Sequence, residues 1–195
     1  MTHGTRVLEG GAVVTVDADR RVFDPGAVVV EGRRVREVDD RASVREAYPG
    51  ADRIELHDHL LLPGLVDTHG HAGHGLTRNL AADEGRWLDA VRELYFVHAD
   101  ESFWAAEGRL AALERLRAGV TTSLSYVGSE PRVDHPRYAE AAAAGYEAFG
   151  LRHVVAVGPP DPPYPRRFAD PERDEERLVD LEDALATTAR VAESL

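Results

Sequence analysis

The sequence predicts an α/β protein in which a small all-β region precedes a run of alternating strands and helices. Three observations carry that expectation. Residues 1–62 break into short β-branched runs punctuated by glycine and hold only one short helical stretch. From Leu65 onward, strand-like runs and stretches of helical period alternate, the pattern of a parallel sheet with crossover helices. The chain has 195 residues, 43% of them hydrophobic, which is enough to bury a core.

Taken in order, Arg6–Leu8 and Ala12–Val16 read as strands separated by Gly10-Gly11. Val28–Glu31 and Val35–Val38 flank Gly32-Arg33, a two-residue hairpin signal. Arg41–Tyr48 has room for one or two helical turns before Pro49-Gly50, and Ile54–Leu56 and Leu60–Leu62 are further short strands. Leu65–Thr68 is an apolar strand. Asp83–Val97 carries an apolar stripe of Trp87, Leu88, Val91, Leu94 and Tyr95 at helical spacing. Glu101–Arg117 is a second helix, with Gly119 placed to stop it. Val120–Ser125 is a β-branched strand, Pro136–Phe149 an alanine-rich helix closed by Gly150, and Leu151–Val157 the next strand. A proline-rich loop, Gly158–Pro165, leads to Asp174–Ser194, which reads as one long charged helix. The expected division is 1–62 for the small β region and 63–195 for the α/β run.

Composition narrows the function classes. The net charge is −12, and all 23 basic residues are arginine. Such an acidic surface repels phosphate, which argues against nucleic acid or an anionic membrane as partner. The chain has no cysteine, so disulfides and thiolate metal sites are excluded. No apolar run approaches the ~20 residues of a membrane span. The N-terminus lacks a basic flank followed by an apolar stretch, and a cytoplasmic address is the expectation.

The richest stretch is LLPGLVDTHGHAGHG, Leu61 to Gly75. On a strand, side chains alternate faces, so Asp67, His69 and His71 are expected to share one. Two imidazoles then project together from the strand's C-terminal end and can reach one cation at about 2.0–2.1 Å. Gly70 between them allows close approach of another group. His-x-His alone is weak evidence, since strand histidines are also satisfied by carbonyls or water. Its position at the end of the first α/β strand, where such folds keep their sites, strengthens it.

PGLVDTHGH, Pro63 to His71, resembles the Pro-Gly-(apolar)₂-(Asp/Asn)-x-His-x-His signature of the amidohydrolase superfamily, and within it the cytosine, triazine and S-adenosylhomocysteine deaminase branch. The resemblance extends through Trp87-Leu88, FWAAEG from Phe103, LERLRAGVTTS and GLRHVVAVGP. It implies the N-terminal portion of a metal-dependent (β/α)8 (TIM) barrel preceded by part of a small β-sandwich. It also implies His69 and His71 as ligands of a divalent metal, zinc first and iron second. His74 and Arg78, in the loop leaving the site, match substrate-facing positions; the plain alternative is a solvated histidine and an arginine paired with a carboxylate. Asp67 is given no catalytic role, only orientation of the strand. Trp104 lines the pocket or, as aromatics on helices more often do, sits in the core. His98, His135 and His153 are expected to be structural or surface residues, and His57 and His59 are set aside with the small β region.

A full barrel takes about 250 residues, roughly 31 per βα unit, so the stretch from Leu65 to Leu195 has room for about four units. Three are identifiable. Of the family's further ligands and acid/base groups, those after strands five, six and eight have no counterpart here. The resulting expectation is a metal-dependent hydrolase of non-peptide carbon–nitrogen bonds, a deaminase or amidohydrolase of a cyclic nitrogenous small molecule. This chain would be its N-terminal fragment and inactive alone. The alternative is a non-catalytic remnant, or a split half that associates with a complementary chain or with itself.

Overall fold

Two stretches of chain fold as separate compact units, Met1–Pro63 and Gly64–Leu195. The structure is a computed structural model and describes residues 4–72, 74–80, 85–128, 132–170 and 173–195. Among the described residues, no helix is long and apolar enough to cross a membrane.

The first unit is a five-stranded sheet. Strand β1 (Thr5–Val14) pairs antiparallel with β2 (Val22–Phe23) and β3 (Gly26–Glu31) and parallel with β5 (Asp52–Leu61), while β3 pairs with β4 (Arg34–Asp40). The β3–β4 hairpin closes on Glu31↔Arg34 around Gly32-Arg33, with Gly32 at φ 59°, where an L side chain would be strained. Helix α1 (Arg41–Ala47) follows β4. Val7, Ala27, Val29 and Val44 form the core of the unit.

Two sequence expectations differ here. The Gly10-Gly11 pair does not divide two strands, and β5 is likewise one strand rather than two. The cause is one continuous ladder between β1 and β5, interrupted by an irregularity at Gly10–Ala12. A Cβ at Gly11 would run into the His57 carbonyl oxygen, so the glycine serves close strand approach rather than a turn. The carboxylate of Glu9 is fully buried and accepts from Arg45 Nε at 2.8 Å and Arg53 Nη1 at 3.0 Å, with His57 Nε2 at 3.3 Å. The Arg45 guanidinium above all holds its pKa down at about 2.

The second unit is built on a parallel sheet, β6 (Leu65–Ala72), β7 (Val120–Val127) and β8 (Arg152–Ala156), in that spatial order. Between β6 and β7 lie α2 (Trp87–Glu93), a π-helical turn (Leu94–His98) and α3 (Glu101–Arg117). The Asp100 side chain caps α3 by accepting from Phe103 N at 2.8 Å, and Gly119 at φ 81° ends it. Helix α4 (Arg137–Glu147) joins β7 to β8. It crosses α3 at Gly108 and Gly145: a Cβ at Gly145 would lie 2.6 Å from the Ala105 carbonyl oxygen, so only glycine permits that backbone contact. The larger core gathers Tyr95, Phe96, Trp104, Tyr138, Phe168 and Val191.

The expected helix from Asp174 begins instead at Leu181. Residues Glu175–Val179 form β10, antiparallel to β9 (Arg166–Asp170), and α5 spans Leu181–Ser194 behind an Asp180 cap that accepts from Asp183 N at 2.9 Å. The charged run EERLV suits a helix by propensity. Strand pairing wins because it buries Phe168 and Val179 and sets Arg167 against Glu176 across the hairpin. The Asp83–Val97 helix is observed from Trp87 and turns π-helical at Leu94; residues 83 and 84 lie outside the described residues.

On β8, His153 lies flat on Tyr146, rings 3.6 Å apart and 2° from parallel. Burial first, and the Arg115 charge second, hold its pKa down at about 4. Above pH 6.5 the ring is neutral in folded and unfolded chain alike, so its contribution to stability is complete. Between pH 6.5 and about 4 only the unfolded chain takes up the proton, and stability falls with acid. The urea midpoint is therefore expected to drop across that window, and His153→Phe, which keeps the stack, should flatten the drop. An equal slope in both proteins would refute the assignment.

Candidate functional site

The site begins with a strand that does not alternate simply. Along the β6–β7 ladder the register steps from Asp67↔Ser123 to Gly70↔Ser125, so β6 spends three residues where β7 spends two. This bulge turns Asp67 toward α3, where its Oδ2 accepts from Arg115 Nε at 3.0 Å. The expectation that Asp67 shares a face with His69 and His71 is thereby corrected. Its Oδ1 accepts from the His69 backbone N–H at 3.3 Å, so it steadies the strand on which both histidines stand.

His69 and His71 come together at the C-terminal end of β6. Their ring centroids are 5.0 Å apart, at an interplanar angle of 74°. Tyr126, the register partner of His71 on β7, stacks on the His71 ring at 5.4 Å and 19°. His71 Nδ1 lies 3.1 Å from the Gly128 carbonyl oxygen. A carbonyl only accepts, so Nδ1 is the donor in this contact and Nε2 is the ring nitrogen left over for a ligand. Gly128 itself sits at φ 82° against Trp104 and Tyr95, which closes that position to any side chain.

His74 joins the cluster, its ring 5.8 Å from that of His71 and 5.1 Å from Trp87. Its Nδ1 is 3.0 Å from the hydroxyl of Tyr95, which the π-helical turn carries into the core. Burial lowers the His74 pKa and raises that of Tyr95 to about 12, so both are neutral at pH 7. The loop holding His74 is pinned by Glu107 of α3, whose carboxylate accepts from Gly75 N at 2.9 Å and Leu76 N at 2.8 Å. Arg78 points elsewhere: its guanidinium is paired with Glu114, and both side chains are largely exposed.

The remaining candidates are not part of this cluster. Trp104 is fully buried beside Tyr95 and Phe103. His98 is exposed near Glu93, and the exposed His135 accepts from Arg137 N. His57 pairs with Glu9 and, like His59, lies on β5 in the first unit. Sequence reasoning missed Tyr126, Glu107, Arg115 and the Gly128 carbonyl. Tyr126 was findable in principle once β6 and β7 were aligned as parallel neighbours; the others depend on tertiary packing.

The donor set fits half a metal site. Two imidazoles bound to one tetrahedral ion at about 2.0–2.1 Å hold their ring centres about 5 Å apart, and His69 and His71 stand at that distance. Among the described residues, no group of three or more His, Asp or Glu side chains is arranged to hold one metal ion, although the His74 ring lies near that of His71.

Comparison with known proteins places this geometry in context. The profile of the amidohydrolase family matches residues 60–194, and that of an imidazolonepropionase-like composite domain of bacteria matches residues 26–51. A 5-methylthioadenosine/S-adenosylhomocysteine deaminase of Symbiobacterium thermophilum is 31% identical over 160 residues, 78% of this chain and 33% of that protein. A 5'-deoxyadenosine deaminase of Methanopyrus kandleri is 32% identical over 157 residues, 76% of this chain and 33% of that protein. The chain thus spans about a third of the length of these relatives. Among solved structures, an adenosine deaminase from Xanthomonas campestris with bound zinc superposes with a TM-score of 0.75 at 24% identity, covering 97% of this chain and 39% of that one. An atrazine chlorohydrolase from Arthrobacter aurescens, solved with zinc and atraton, gives 0.67 at 21% identity over 78% of this chain and 35% of that one. At these identities the solved structures speak for the fold.

Proposed function

The chain belongs to the amidohydrolase family, and on that premise we propose that it carries the metal-binding start of a cytoplasmic deaminase or amide hydrolase acting on a nucleoside or related nitrogen heterocycle. The observation that supports this most is the pair His69 and His71, side by side at the C-terminal end of the first parallel strand with His71 Nδ1 donating to Gly128. In this reading the two imidazoles are ligands of one divalent ion, zinc first and iron second. When bound, such an ion supplies Lewis acidity and lowers the pKa of water toward neutrality.

The chain's own groups have separable tasks. Gly128 accepts from His71 Nδ1 and so leaves Nε2 as the nitrogen for a metal. Tyr126 covers one face of that ring and limits its rotation. His74, neutral and tethered to Tyr95, faces the substrate together with Trp87. Arg78, engaged with Glu114, reaches substrate only by leaving that partner.

Among the described residues no third ligand is arranged with the pair to hold one ion, and a catalytic zinc site generally needs three protein ligands. We therefore read residues 63–195 as the first three βα units of the barrel, residues 1–62 as part of the small β-sandwich, and this chain alone as inactive. A second reading, association with a complementary polypeptide, draws support from β8. Its outer edge and α5 border a groove of about 410 Å³ lined by His153, Val155, Val157, Val191 and Leu195, a place for a fourth parallel strand.

The test is to measure ammonia release from adenosine-type and triazine substrates. The chain alone is expected to give none. Mixing it with a polypeptide carrying barrel strands four to eight should restore release that a chelator abolishes. Turnover by the chain alone, or an assembled pair indifferent to chelation, would contradict the reading.

A further inference from the structure

We propose that Arg115 is the positioning residue of the histidine pair, its guanidinium locking the bulge of β6 from behind the sheet. The proposal rests on reading His69 and His71 as ligands, but its structural half stands apart from metal. The Arg115 side chain is 17% exposed and comes from α3, on the side of the sheet away from the imidazoles. Its Nε donates to Asp67 Oδ2 at 3.0 Å, while the other oxygen of that carboxylate takes the His69 N–H. A Cβ at Gly70 would run into Arg115 Nη2, so the residue between the two histidines lacks a side chain where the guanidinium lies. One cation thus touches the first residue of the bulge through its charge and the last through its bare backbone.

The bulge decides where the rings go. Sliding β6 by one residue against β7 would turn its side chains to the opposite face. His71 would then leave its place beside Tyr126, and the 5.0 Å separation from His69 would be lost. Arg115 touches neither ring; it acts through Asp67 and the backbone of Gly70.

Two substitutions attack the contact from opposite sides. Arg115→Met removes the guanidinium, and Gly70→Ala displaces it. The first readout is the nuclear Overhauser contact between the ring protons of His69 and His71 in metal-free protein; the second is Co2+ affinity. Both variants are expected to lose the ring contact and to bind Co2+ about 10–100-fold more weakly. The double variant should be no worse than either single one, because both break the same link. Asp67→Asn, a gentler change, covers the case in which Arg115→Met does not fold and should weaken the ring contact. Arg132→Met serves as control, since it breaks a buried ion pair with Asp134 elsewhere in the unit; it should cost stability and spare both readouts.

A retained ring contact in folded Arg115→Met, or its loss in Arg132→Met to the same extent, overturns the proposal. If the ring contact is lost as expected but the wild-type chain takes up no Co2+, the positioning role is upheld and the metal reading falls.

Discussion

Replacing Glu107 with alanine is expected to cost the Gly64–Leu195 unit about 2–3 kcal/mol of stability. Glu107 is 1% exposed, and its two oxygens take the backbone N–H groups of Gly75 and Leu76. Alanine takes the acceptor from the half-buried Gly75 N–H and from the N–H of the more exposed Leu76, and a buried donor so left costs about 1–3 kcal/mol. Among the described residues, Leu110 already packs against Gly75 on the same side. Glu107→Gln keeps one acceptor oxygen and should lose about half as much. The functional consequence lies in the loop: without its anchor His74 should drift from Tyr95, visible as a change in the His74 ring resonances. Urea unfolding of the three proteins measures the energetics, and a loss under about 1 kcal/mol for alanine would show that water replaces the carboxylate.

Much of the fold was legible in the sequence because local signals agreed with the global arrangement. The 17-residue helix Glu101–Arg117 has an aspartate cap and a left-handed glycine stop, and both ends are observed where those residues stand. The Gly32-Arg33 hairpin is equally local. Misreadings arose where a partner strand decided. Gly10-Gly11 resembles a turn until β5 lies against it, and EERLV resembles helix until β9 pairs with it. The same division runs through the site. Regular alternation led to the expectation that His69 and His71 would project together, and their rings stand 5.0 Å apart, but on a bulged strand rather than a regular one. The bulge that turns Asp67 toward Arg115 leaves no mark in spacing, since it is a difference in residue count between β6 and β7. Nothing in the spacing of Glu107 on α3 marks it as buried. Its burial follows from the return of the loop after β6 over α3, which no periodicity encodes.

Removing the imidazoles of His69 and His71 together is expected to abolish metal uptake. Two neutral nitrogens offer modest affinity compared with a complete site, and either alone leaves one donor with no chelate partner. The double alanine variant should therefore lose at least ~100-fold in affinity, while its fold persists, since both rings are exposed and lie outside the core. Acid should release the ion from the wild type, because ligand nitrogens must be unprotonated. The decisive measurement is a zinc titration by calorimetry of wild-type chain and His69→Ala/His71→Ala side by side. Saturable uptake of one ion per wild-type chain and none by the variant is expected; equal uptake by both would overturn the assignment of His69 and His71 as ligands.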